Sequence, residues 1–354
     1  MMRAPRSFAV VVRRRDGSLL VRERGMSARP GGVAAWPFAR GLAALVESLR
    51  LGNEALRFSV EQLERDAVGE EAARRAGAGL GVLGALGLSL FALATRDDGA
   101  DAHPGEPSGA RKGSWVMLAV AIAFFVALPQ AAAAGLNRVL GLGLPVQSAP
   151  FQAITGALKL TIIVGYLLVI RRVPEIRRVF QYHGAEHKTI STYEAGETLT
   201  TANARAKSTM HARCGTTFLV MVALVSALVF ALIGAALPRI HTGSVVLDNV
   251  SFFLEKLPFL PVLVAMTFEL QRLFARYCTT GPLRALLWPG FLVQKITTAE
   301  PDDAQLEVAL ASLQATLFRQ ERGQASAAED DVVFPTYEAL LAAGSLRPGA
   351  ARAA

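Results

Sequence analysis

His183 and His187 stand four residues apart in "YHGAEHKTISTYEAGE", with Glu186 directly before the second histidine. The chain has only five histidines, so two within this stretch is a concentration. On a helix, at about 100° per residue, His183, His187 and Glu194 fall within about 40° of one another. Glu186 lies roughly 60° to one side of them. Two imidazoles at this spacing, with a carboxylate two turns along, can converge on one metal ion. The order His-x-x-Glu-His is the inverted zinc-protease arrangement, in which the internal glutamate is the general base for the attacking water. A metal ion in such a site lowers the pKa of water to about 7, which makes a hydroxide nucleophile available at neutral pH. Ile190 falls on the same stripe, which suits a face turned towards protein or lipid and suits plain packing equally.

Further donors follow in "STMHARCGTTF". His211 and Cys214 are three apart and share a face if that stretch is helical. Both are good zinc ligands. The expected metal set is therefore His183, His187, Glu194, His211 and Cys214, with Glu186 as the catalytic base. The expected cofactor is a divalent transition metal, zinc first. Each residue also has a bland reading. A five-residue motif arises by chance, interfacial histidines serve as polar groups at a lipid boundary, and a single cysteine is often a small buried apolar residue. A site closed by four Cys/His ligands would be structural, with no open position for water.

These residues need a scaffold, and the composition says which kind. Of 354 residues, 52% are hydrophobic and 19% charged, and the mean hydropathy is +0.36. Charges cluster between long uncharged runs: Ala76 to Thr95, Gly113 to Asn137, and Cys214 to Pro238. About 20 apolar residues cross the hydrocarbon of a bilayer. The fold class expected is a mainly α, polytopic helical membrane protein of about four to five membrane segments, with a short N-terminal β-hairpin and cytosolic amphipathic helices. The arginine-rich start lacks the apolar core of a cleavable signal. The net charge of +8 fits cytoplasmic flanks facing anionic lipid. Aromatics are only 7%, so no nucleic-acid partner is expected. The lipid bilayer is the expected partner; protein partners are not indicated, and a homo-oligomer stays open. Two cysteines do not make a disulfide framework.

Along the chain, "SFAVVVRRRDGSLLVRER" predicts a β-hairpin around Asp16-Gly17, within an arm over 1–30. Residues 31–72 predict an amphipathic helical region. Phe38, Leu42, Leu45, Leu49 and Leu56 form a stripe that lies on the membrane surface or packs beside the bundle. Membrane segments are expected over 73–170, with a polar connector "RDDGADAHPGEPSGARKG" between the first two and Pro129 interrupting the second. Val139 to Ile170 reads either as a span with Lys159 facing inward or as a broken, re-entrant element. The His/Glu helix and loop occupy 171–213, with Pro174 as its start and Gly196 as its stop. Membrane segments resume over 214–290, where Glu269 and Arg272 are expected to neutralise each other. A soluble helix over 291–320 is capped by Asp302 or Asp303 and striped by Leu306, Leu310 and Leu313. The Ala-rich tail, 321–354, is expected to be poorly ordered.

Charge also sets orientation. Fourteen arginines precede the first run, and 171–213 holds eight Lys and Arg against four glutamates, so both belong on the cytoplasmic side of the cell's inner membrane. An even number of crossings must separate them, yet three candidates intervene. The expected resolution is that 139–170 does not cross simply.

The stretches "RRVFQYHGAEHKTISTYEAGE", "HARCGTTFL", "PFARGLAALVESLRLG" and "TTAEPDDAQLEVAL" closely resemble the YqhQ-like family. These are bacterial integral membrane proteins of unknown function, described as predicted metal-dependent enzymes. The resemblance runs from Met1 to about Leu317 and implies a multi-span membrane protein. It places the family's signature on His183, Glu186, His187, Glu194, His211 and Cys214, and it implies no substrate. Family members usually carry a Gly-rich lead ending "EGVMMR" where this sequence begins "MMRAPRS", so a misassigned or truncated start is expected. Read together, the residues predict a membrane-embedded metal-dependent hydrolase, with a peptidase as one form. The rivals are a membrane scaffold with a structural metal cluster and a metal-ion or small-solute carrier using Lys159, Glu269 and the histidines.

Overall fold

The computed structural model describes residues 1–26, 36–66, 124, 127–237, 243–278, 281–322 and 330–343. The Gly/Pro break at 29–32, the first expected span at 76–95, its connector and most of the run from Gly113 to Ala127 lie outside these residues.

The amino-terminal arm is part of a four-stranded antiparallel sheet. Strands β1 (Met2–Ala4), β2 (Ser7–Arg13), β3 (Leu19–Gly25) and β4 (Asp330–Phe334) pair in that order. Asp16-Gly17 forms the β2–β3 turn. Gly17 takes φ 88°, a region glycine enters without strain, and the Ser18 N–H donates to Asp16 Oδ1 at 2.9 Å. Strand β4 corrects the expectation of an unordered tail. "DDVVF" carries β-branched residues that pair along the open edge of β3, Val332 opposite Val21 and Val333 opposite Leu20. Beyond it, α11 (Tyr337–Ala342) packs Leu340 into the core.

Alternation along the strands sends side chains to two covered faces. Ala9, Val11, Leu19 and Val21 join one core with Leu306 and Leu310 of α10 (Asp303–Arg322). Phe8, Val10 and Leu20 join another with Leu51, Ala55 and Phe58 of α1 (Ala39–Asp66). The buried face of α1 therefore differs from the expected stripe: Phe38 and Leu42 stay 54% and 41% exposed. Glu269 finds a closer partner than the expected Arg272: it accepts from Arg40 Nε of α1 at 2.6 Å, while the charge of Arg272 also acts on its carboxylate.

Among the described residues, three helical stretches are long and apolar enough to cross a bilayer: Ala149–Ile170, Gly215–Ile233 and Leu247–Tyr277. They correspond to α3 (Ala149–Ile170), α6 (Gly215–Ile233), and the pair α7 (Val245–Lys256) and α8 (Leu260–Tyr277) joined by a tight turn. Leu219, Leu228, Leu232 and Val262 are 60–73% exposed on them, an outward apolar band of the kind lipid covers. Within 139–170, residues 149–170 form one unbroken helix. The Gly/Pro content is used up in a turn between α2 (Leu128–Val139) and α3, where Gly141 and Gly143 take φ 60° and 62°. Ser148 then caps one continuous helix, with Pro150 in a first turn that tolerates it. Pro129 likewise sits in the first turn of α2 and does not interrupt it.

The remaining helices gather at one end of this bundle. They are α4 (Pro174–Glu194), α5 (Thr201–Arg205) and α9 (Trp288–Thr297). Helix α10 is capped as the sequence suggests. The Gln305 N–H donates to Asp302 Oδ1 at 2.8 Å, and Gln305 Oε1 accepts from the Asp302 N–H at 2.9 Å. Its leucines stitch the sheet to α4, whose Ala185 joins the same core.

Candidate metal centre

Helix α4 carries the histidines and begins and ends where the sequence places it. Pro174 occupies the first turn, and Gly196 follows the last at φ 69°. The chain leaving α9 lies tight against α4. The Ala299 N–H donates to the Phe180 carbonyl at 2.9 Å, and Gln181 Nε2 donates to the Glu300 carbonyl at 3.2 Å. Gly184, between the two histidines, permits this approach: a Cβ there would lie 2.2 Å from the Ala299 carbonyl oxygen.

The backbone fixes both rings. His183 Nδ1–H donates to the Thr297 carbonyl at 2.9 Å, and His187 Nδ1–H donates to the Thr209 carbonyl. The two rings meet edge-on with centroids 4.4 Å apart. His183 Nε2 lies 3.2 Å from Cys214 Sγ. One donor atom each from His183, His187 and Cys214 lies within 4.8 Å of the others. A carbonyl holding the remote ring nitrogen is how protein scaffolds orient metal-binding imidazoles.

Cys214 is the residue that caps α6, in extended geometry. His211 and Cys214 therefore do not share a helix face, because helix starts only at Gly215. Thr216 Oγ1 sits 3.0 Å from the sulfur, and Gln271 Nε2 donates to the Cys214 carbonyl at 3.0 Å. Burial alone would raise the thiol's pKa. The hydrogen bonds and positive charge of His183 and His187 outweigh that and bring it down to about 5. Burial opposes charge on His183 too, but the Cys214 sulfur and the Glu186 carboxylate raise its pKa to about 9. Without a metal the pair is thus thiolate and imidazolium at neutral pH, and the thiolate is the ligand form. Two imidazoles and a thiolate form a borderline-soft donor set that fits zinc.

Glu194 and His211 line the same cleft but bond each other: His211 Nε2 lies 3.2 Å from Glu194 Oε2, and Arg213 Nη1 donates to Glu194 Oε1 at 2.8 Å. Glu186 also lines it, with Oε1 3.0 Å from the Met1 amino nitrogen. The open cleft has a volume of about 290 Å³ and brings together all six residues singled out by the sequence. Several supports were not anticipated. Gln294, fully buried, accepts from the His211 N–H and donates to its carbonyl, both at 2.8 Å, and also donates to Thr217 Oγ1 at 2.6 Å. A lone amide in the apolar "WPGFLVQKI" was a usable signal. The carbonyls of Thr209 and Thr297 gave none, because every residue has one.

The chain belongs to the family described as Protein of unknown function (DUF1385), whose model matches residues 36–319. It is 29% identical over 313 residues to the Uncharacterized protein YqhQ of Bacillus subtilis (strain 168), covering 86% of this chain and 85% of that protein. No solved structure matches it.

Proposed function

We propose that this DUF1385 member is a multi-pass enzyme of the cytoplasmic membrane, a metal-dependent hydrolase whose site opens at the membrane boundary. One observation carries the reading. Three ligand atoms converge at the wall of an open cleft, with both imidazoles already turned by backbone carbonyls. Three protein ligands with open space beside them are the pattern of a catalytic zinc site, whereas a structural site closes with four.

His183, His187 and Cys214 would hold the ion. Such an ion acts as a Lewis acid towards a carbonyl or phosphoryl oxygen and acidifies water. Glu186 lines the cleft outside the three converging residues; with its Oε1 on the Met1 amino group, its Oε2 would take the proton of the attacking water. His211, held by Gln294 and paired with Glu194, stands across the cleft as the group that returns a proton to the leaving atom. Arg213 at the rim is spent on Glu194, whose carboxylate it holds beside His211.

Metal analysis of detergent-purified protein tests this. The wild type should carry about one zinc-class ion per chain, and His183→Ala and Cys214→Ser should lose it. Glu186→Gln should keep the ion and lose turnover of chromogenic ester, phosphoester and peptide substrates. Wild-type protein without bound metal after zinc supplementation would overturn the reading. Loss of metal in Glu186→Gln would overturn the assignment of roles.

A further inference from the structure

The end of the helix bundle remote from the histidines holds a second polar site. Gln130, Gln152, Thr155, Lys159, Ser226 and Lys256 line a small cavity of about 40 Å³ among apolar neighbours. Lys159 lies roughly 16 Å, and Gln152 roughly 27 Å, along α3 from its histidine-side end, at 1.5 Å per residue. The cavity therefore occupies the far half of the span.

Its charges are unbalanced. Lys256 is buried, and its ammonium donates to Gln152 Oε1 at 2.9 Å and Gln130 Oε1 at 3.2 Å. It also sits 4.3 Å from the Phe252 ring centroid. Both amides are locked with their oxygens towards it, because Gln130 Nε2 donates to the Asn249 carbonyl and Gln152 Nε2 to the Val146 carbonyl. Thr155 and Ser226 donate their hydroxyls to carbonyls of their own helices, each at 2.9 Å. Among the described residues, Lys159 makes no hydrogen bond or ion pair and no carboxylate lines the cavity. The free donors are thus ammonium groups alone. Holding two lysines charged at membrane depth, with no anion beside them among the described residues, is costly, and intramembrane lysines of this kind mark ligand sites.

We propose that this cavity binds a phosphate-class oxyanion between Lys159 and Lys256, brought either by an anionic lipid headgroup or free from solution. The inference rests on the reading of the bundle as membrane-spanning, and it is independent of the metal chemistry. An ammonium recognises phosphate as a compact point charge, and basic pockets between membrane helices take anionic lipid headgroups. Lys256 is held in place by amide and aromatic neighbours, which leaves Lys159 as the arm that completes the site.

The test uses the full chain in nanodiscs of phosphatidylcholine, with or without phosphatidylglycerol. Native mass spectrometry counts phosphatidylglycerol retained by the protein. In phosphatidylcholine discs, the thermal midpoint is followed against added inorganic phosphate. The wild type should bind one of these anions. Lys159→Gln should weaken that binding about tenfold or more, Lys159→Arg should recover most of it, and His183→Ala should leave it unchanged. Retention of the lipid with no response to phosphate makes the headgroup the source, and the reverse makes it the free anion. Binding of neither, or equal binding by Lys159→Gln, overturns the proposal. Lys159 has no hydrogen-bond or ion-pair partner to lose among the described residues, so its substitution is expected to leave the fold intact and the test readable.

Discussion

Cys214 is the side chain whose chemistry depends most on its neighbours. Its thiol titrates at about 5 and His183 at about 9, so the metal-free site holds an ion pair between those limits. The thiol's folded value is depressed, so its contribution to stability is present at neutral pH and is lost as pH falls through about 5. The imidazole's folded value is raised, so its share is held at low pH and is lost as pH rises through about 9. Reactivity reports the same pair. In metal-stripped protein with Cys278→Ser, iodoacetamide should alkylate Cys214 almost as fast at about pH 6.5 as at about pH 8.5, whereas an ordinary thiol slows more than tenfold. His183→Ala should steepen that slope, with His187 still lowering the thiol, and added zinc should protect the sulfur of the unsubstituted protein. An ordinary pH profile in the unsubstituted protein would refute the thiolate.

At the scale of elements, Gly184 ties helix α4 to the segment that orients its histidines. Gly184→Ala puts a Cβ 2.2 Å from the Ala299 carbonyl oxygen, so either α4 or the segment from Thr297 must move. The expected cost is about 1–3 kcal/mol, and the Thr297–His183 hydrogen bond should weaken with it. Thermal midpoint and zinc affinity should both fall. Gly165→Ala, with nothing within 4 Å of its added Cβ, serves as the control and should be neutral or mildly stabilising. A Gly184→Ala variant indistinguishable from that control would show that the contact does not matter. Local signals of this kind explain what could be read from the sequence. Pro174, Gly196, Asp302 and the Asp16-Gly17 turn act through their own backbone, so they mark boundaries without any tertiary knowledge. The i, i+4 histidines likewise follow from helix geometry. Strand β4 could not be read this way, because it joins β3 across the length of the chain, Leu20 pairing with Val333 313 positions on, and depends on an edge only folding exposes. The second face of α1 went unread for a related reason: Leu51, Ala55 and Phe58 answer to the sheet, while the stripe of Phe38 and Leu42 stays exposed. Glu194 and His211 sit where the cleft is, but their mutual bond arises from the path of residues 209–214, which has no periodic pattern to read.

For the whole molecule, packing constrains topology more firmly than charge counting does. Helix α10 buries leucines against the sheet on one side and Ala185 of α4 on the other, so the arginine-rich arm and the histidine helix stand in one layer. Both are rich in Lys and Arg, and short basic segments are retained inside the cell. We therefore predict that this layer is cytoplasmic. Helix α3 separates it from the turn at 140–148: its 22 residues span roughly 33 Å, the thickness of a hydrocarbon core. The two ends of α3 should then lie on opposite faces of the membrane, with Leu140 outside, where it is 59% exposed. Single cysteines at Arg15, Ser208 and Leu140, in a Cys214→Ser, Cys278→Ser background, distinguish the arrangements. With a membrane-impermeant maleimide on intact cells, Leu140→Cys should label, and Arg15→Cys and Ser208→Cys should label only after the cells are opened. Labelling of Ser208→Cys with protection of Leu140→Cys would invert the molecule and place the histidine cleft outside. Labelling of Arg15→Cys but not Ser208→Cys would separate the arm from the histidine helix, which the shared core of α10 forbids in a folded chain. That outcome would therefore count against the packing itself and not merely against its orientation.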